Sequence, residues 1–80
     1  MMYDTVTRYE IIAWEDAENP QMPDYQERFH RKADAMKRAR QMALKYNLVE
    51  VNAIEVDKYD GNNIDGGKLI ASWTHGKKTA

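Results

Sequence analysis

Between residues 31 and 47 the apolar positions recur at helical spacing. Setting successive residues about 100° apart gathers Ala35, Met36, Ala39, Met42, Ala43 and Tyr46 into one arc and leaves Lys37, Arg38, Arg40 and Lys45 outside it. The pattern predicts an amphipathic helix from Arg31 to Asn47 whose apolar arc must lie on another layer. Three alanines in that arc allow close backbone approach, which suits packing across a sheet. Asn47 is a fitting C-terminal stop, and Lys45 complements the helix dipole at that end. Arg31 and Lys32 stand where Ser, Thr or an acid would cap the start, so fraying is expected there.

On either side the spacing changes to that of strands. Thr5 to Trp14 is rich in β-branched and aromatic residues, with Tyr9, Ile11 and Ala13 on one side and Ile12 and Trp14 on the other. Glu15 to Asp24 combines charge with Pro20 and Pro23, neither of which can donate to a ladder, and reads as a long loop. Tyr25 to His30 alternates as a short second strand with Tyr25 and Phe29 together. After the helix, Leu48 to Tyr59 changes parity midway. Val49, Val51 and Ala53 share one side and Ile54 and Val56 the other, which predicts either a bulge near Ala53 or pairing that begins only there, the later start being the preferred reading. Asp60 to Gly67 is turn chemistry, and Lys68 to Thr74 returns as the last strand with Leu69, Ala71 and Trp73 as its apolar face.

The order ββαββ predicts an α+β domain of two layers, a small antiparallel sheet with one amphipathic helix packed on one face. A single domain spans residues 1–80, with an ordered core over about residues 3–74 and a mobile tail over 75–80. Strand order is not readable from spacing. A small open sheet has two edges that can pair with another chain, so a homodimer and a monomer both stay open.

Composition narrows the chemistry. The chain of 80 residues has no cysteine, which removes thiolate nucleophiles, disulfides, Cys-based zinc sites and iron–sulfur clusters and suits a reducing, cytoplasmic setting. No window approaches the roughly 18 apolar residues of a membrane span, and neither end reads as a targeting signal, so no membrane partner is expected. The net charge of −1 conceals a segregation. Residues 1–27 carry seven acids against Arg8 alone, whereas residues 28–45 carry seven cations against Asp34 alone. A protein built only to grip nucleic acid ordinarily has a basic surplus overall, and this one has none.

The catalytic constellations fail on geometry. Ser72 and His75 are three positions apart, which in a strand points their side chains to opposite faces, and His30 has no spaced partner. No pair of carboxylates has an apolar pocket to raise one pKa. The string from Asp57 to Gly67 is oxygen-rich but lacks the register and terminal Glu of a calcium loop, and it reads as a hairpin turn. Gly61, Gly66 and Gly67 match no phosphate-binding fingerprint. The expectation is a non-enzymatic chain with no catalytic residue, metal ligand or cofactor.

What remains is the outer side of the helix. Leu44 falls about 140° from the centre of the apolar arc, among the cations, with Ala33 on the same side. That face has three readings: a solvated exterior, a contact with an acidic protein surface or another copy's acidic half, and a contact with nucleic-acid phosphates. A leucine rimmed by charge has the anatomy of a protein interface. The sequence therefore predicts a non-catalytic interaction domain that binds a protein partner through Lys37, Arg38, Arg40, Leu44 and Lys45. The alternative is an RNA- or DNA-binding module that adds the strand aromatics Tyr9, Trp14, Tyr25, Phe29, Tyr59 and Trp73 as stacking platforms. In composition alone, a compact cysteine-free domain with a long polar loop resembles the small accessory proteins of phages and mobile elements, which implies an inhibitor or adaptor.

Overall fold

The computed structural model describes residues 4–80, with the side chains of residues 63–66 outside the description. Its elements run β1 (Thr5–Trp14), β2 (Tyr25–Phe29), α1 (Lys32–Met42), β3 (Leu48–Asp57), β4 (Asn63–Thr74) and β5 (Lys77–Lys78). The five strands form one antiparallel sheet in the order β2-β1-β3-β4-β5, with α1 lying over β1, β2 and β3. This is the expected two-layer α+β architecture, with one strand more than expected.

Register explains which side chains meet the helix. Ile11 pairs with Glu27 on one side and Val51 on the other, and Ala13 with Tyr25 and Val49, so the odd-numbered residues of β1, β2 and β3 share a face. Ala71 and Trp73 of β4 extend it. Ala35 and Ala39 of α1 close down on that face with no exposed surface, and Met42 and Ala43 complete the core. Tyr9, Tyr25, Phe29, Met36, Tyr46 and Ile70 pack around its margin.

The helix is shorter than its periodicity predicts. Leu44 N–H and Lys45 N–H donate to the carbonyls three residues back, so the last turn tightens after Met42. Asn47 then fixes the exit, its backbone N–H donating to Trp14 O (3.1 Å) and its side-chain amide to Glu15 O (2.6 Å). At the other end Arg31 occupies the cap position with extended backbone and makes no side-chain capping bond, as the sequence implies.

Three expectations need correction. Pairing of β3 begins at Leu48, and its ten residues run along β1 without a shift. The irregularities lie on the β4 side, between Val51/Asn52, Ala53/Glu55 and Glu55/Val56. The parity change along β3 therefore reflects burial on both faces, since Val49, Val51, Ile54 and Val56 are all buried. The first of those shifts also overturns the reading of Leu69. A residue inserted between the Ala71–Val51 and Leu69–Asn52 pairs reverses the parity of the residues just before it, so Ile70 packs on the core and Leu69 is 45% exposed.

The third correction concerns residues 75–80, which fold back instead of trailing. His75 (φ 51°) and Gly76 (φ 81°) both occupy the left-handed region, the backbone of a two-residue turn matched to sheet twist. Lys77 and Lys78 then pair with Thr74 and Trp73. Ser72, buried in β4, is satisfied by this return: its hydroxyl accepts from Thr79 Oγ1 (3.2 Å) and its carbonyl from Thr79 N–H (2.7 Å). The string from Asp57 to Gly67 does turn the chain between β3 and β4, with Tyr59 N–H and Asp60 N–H donating to the Asp57 carboxylate. The part of that string over residues 63–66 lies, for its side chains, outside the described residues.

Candidate interaction surface on the outer side of the helix

Because Ala35 and Ala39 face the sheet, the opposite stripe of α1 is fixed toward solvent. Ala33, Lys37, Arg40 and Leu44 fall on it at spacings of four, three and four residues. All four are exposed, and Leu44, in the turn that follows the helix, keeps 87% of its surface in water. Lys45 is its exposed neighbour. Among the described residues, no ion pair engages Lys37, Arg40 or Lys45.

Arg38 stands apart from the other four. It lies on the flank toward β2, where Nε donates to Glu27 Oε1 (3.5 Å) and Nη1 to Gln41 Oε1 (3.2 Å). Glu27 also accepts from the Tyr25 hydroxyl, and the Tyr25 ring stacks on Tyr46 at a centroid distance of 6.1 Å. This network joins β2 to the helix at Arg38 and to Tyr46 beyond its C-terminal end. Between β2 and α1 it borders a hollow of about 270 Å³ lined by Glu27, Phe29, Asp34, Lys37, Arg38 and Gln41. The structure thus gathers Lys37, Arg40, Leu44 and Lys45 on an unpartnered exterior and commits Arg38 to an internal contact.

The same network shifts two pKa values. Burial raises the Tyr25 phenol above its ordinary 10.0, with the Glu27 bond adding to it, while the Tyr25 hydroxyl raises the Arg38 guanidinium further from titration. The native state therefore holds the Tyr25 proton more tightly than the unfolded chain does. The resulting stabilisation is complete below the ordinary phenol value and is lost as pH rises through the raised native one. Tyr25→Phe is expected to flatten the alkaline limb of urea stability relative to the unsubstituted protein. Equal alkaline slopes in the two proteins would contradict the assignment.

Four of the six strand aromatics serve the interior. Trp73 is 5% exposed, and Tyr9, Tyr25 and Phe29 pack against the core beneath the helix. Trp14 is half-buried and donates through Nε1 to Gln21 O (2.9 Å). Tyr59 is 80% exposed, its hydroxyl donating to Asp4 (3.1 Å). These rings do not assemble into an open stacking row.

The potential catalytic groups are likewise separated by their partners. Ser72 Oγ meets Thr79, whereas His75 Nε2 lies 3.4 Å from Glu18.

One surface escaped the sequence reading. The loop over residues 15–24 forms a second hollow of about 270 Å³ lined by Trp14, Asp16, Asn19, Gln21, Met22 and Asp24. Asp24 Oδ2 accepts from Glu15 N–H (2.8 Å), and Asp16 Oδ1 accepts from the N–H groups of Glu18 (3.0 Å) and Asn19 (3.2 Å). The Asp16 bonds are side-chain turn chemistry, and the aspartate spacing was the available signal.

Comparison with protein families, curated proteins and solved structures finds no match to this chain. Among the described residues no helix is long and apolar enough to cross a membrane.

Proposed function

We propose that this chain is a non-catalytic interaction domain that docks the outer face of α1 onto an acidic protein surface, acting as an inhibitor or adaptor. The observation that carries the reading is Leu44, 87% exposed and accompanied by Lys37, Arg40 and Lys45, which have no ion pair among the described residues. Burying a leucine side chain contributes about 1.5–3 kcal/mol. The surrounding cations supply orientation and encounter rate more than affinity. The inward placement of Tyr9, Tyr25, Phe29 and Trp73 supports protein over single-stranded nucleic acid, which needs a row of exposed rings to stack its bases.

The test is affinity capture from the native host with nuclease treatment, comparing the natural sequence with Leu44→Asp and Arg40→Glu, alongside titration of labelled single-stranded RNA and DNA. A protein retained through nuclease treatment and lost with both variants is the expected result. Retention unchanged in the variants would contradict the reading. Salt-sensitive nucleic-acid binding weakened by Arg40→Glu would replace it with phosphate recognition.

A further inference from the structure

We infer that the partner fitting the Leu44 surface is a second copy of this chain, with Leu44 of each copy seated in the hollow beside Trp14 of the other. The inference rests on the docking role proposed for the helix exterior and names its occupant.

Charge pairing inside one copy leaves a complementary remainder. At the β2 side of the sheet, Glu10 meets Arg28 (3.4 Å) and Glu27 meets Arg38 (3.5 Å). The exposed acids of the loop, Glu15, Asp16, Glu18 and Asp24, have no Lys or Arg ion pair among the described residues, and Glu18 faces His75 alone. Lys37, Arg40 and Lys45 around Leu44 are likewise without an ion pair among the described residues, as are cations of other segments such as Arg31, Lys32, Lys77 and Lys78. Each remainder carries one exposed apolar side chain, since Leu44 (87%) and Met22 (86%) are the most exposed large apolar side chains among the described residues. One is a leucine rimmed by Arg40 and Lys45. The other lines a hollow that also holds Trp14 and is rimmed by Asp16 and Asp24.

Their placement permits a closed assembly. Asn47 ties the exit of the helix to the end of β1 and the start of the loop, so both surfaces lie at one pole of the molecule. A two-fold axis through that pole makes the contact reciprocal, with each copy giving one Leu44 and receiving one. The loop is already shaped by the Trp14, Asp16 and Asp24 bonds, which lowers the ordering cost of association. With a net charge of −1, two copies repel each other little at long range.

The experiment is sedimentation equilibrium of the full chain with paired charge reversals. Arg40→Glu with Lys45→Glu makes the helix surface acidic, and Glu15→Lys with Glu18→Lys makes the loop basic. The loop's turn bonds use the backbone N–H groups of Glu15 and Glu18, and the Glu18 carboxylate makes one exposed contact, to His75 outside the loop. The natural sequence should form a dimer that weakens with salt, and each double variant alone should associate about tenfold more weakly or worse. An equimolar mixture of the two variants should regain association, since acidic helix meets basic loop in one half of the contact and basic helix meets acidic loop in the other. Leu44→Ala, at an exposed position, should weaken the dimer without altering the fold. A natural sequence that stays monomeric, or a mixture no tighter than its components, overturns the inference. Monomeric protein that still captures a host protein through Leu44 overturns self-association alone and leaves the docking role standing.

Discussion

Replacing Ile11 with alanine is expected to remove about 2–5 kcal/mol of stability, the range for truncating a buried aliphatic side chain in a packed core. Ile11 has no exposed surface and sits on β1 between Glu27 of β2 and Val51 of β3, under the alanines of the helix. Its neighbours cannot easily collapse into the gap. Backbone pairing holds the strands in place, and Ala35 and Ala39 have no longer side chain to extend into the void. A domain of this size draws only about 3–5 kcal/mol of net stability from a single core, so the variant should be largely unfolded or close to it. Urea unfolding followed by circular dichroism measures the effect. A loss below about 1 kcal/mol would show that the helix does not close over this position as described.

Gly67→Ala is expected to be the second most damaging change, for two separable reasons. The backbone of Gly67 has φ +91°, where a side chain costs about 1–3 kcal/mol. A Cβ there would also stand 2.8 Å from Ile54 Cγ2 and 3.4 Å from Ala53 O, and Ile54 is itself buried and unable to swing away. Overpacking of that kind adds about 1–3 kcal/mol. Gly61 provides the control, with φ +74° but no atom within 4 Å of an added Cβ. Gly61→Ala should therefore show the backbone cost alone. Equal losses at the two glycines would mean that β4 does not press on Ile54 at this point.

Much of this architecture was legible because local and global signals agreed. The helix announced itself through Ala35, Ala39 and Met42, and β1 through the alternation of Tyr9, Ile11 and Ala13, since each buries one face and the spacing records which. The misreadings fell where one strand answers to more than one demand. Ile54 and Val56 are buried on the face opposite Val49 and Val51, and alternation cannot distinguish a change of register from burial on both sides. Leu69 was misplaced by a bulge, whose extra residue leaves no mark in the hydrophobic pattern. The fifth strand was missed because its turn is His75–Gly76, and only the glycine is a usual occupant of the left-handed region.

The candidate surface was legible in a different sense. A leucine set against the apolar arc showed in the helical spacing, and the structure places it in water. The commitment of Arg38 to Glu27 was hidden, because it depends on β2 folding beside the helix from eleven residues earlier in the chain. The hollow beside Trp14 was hidden for the same kind of reason. It forms only when the Asp16 and Asp24 carboxylates turn back onto the loop's own backbone.

The central claim is that Leu44 and its cationic neighbours serve contact with another molecule and contribute little to the fold. The most direct measurement is a pair of readings on Leu44→Asp: urea stability of the isolated chain, and association with its partner, whether a host protein or a second copy. The account predicts stability within about 0.5 kcal/mol of the unsubstituted protein, as for a surface change, together with loss of association. A stability loss of core size, or association that survives the substitution, would contradict it.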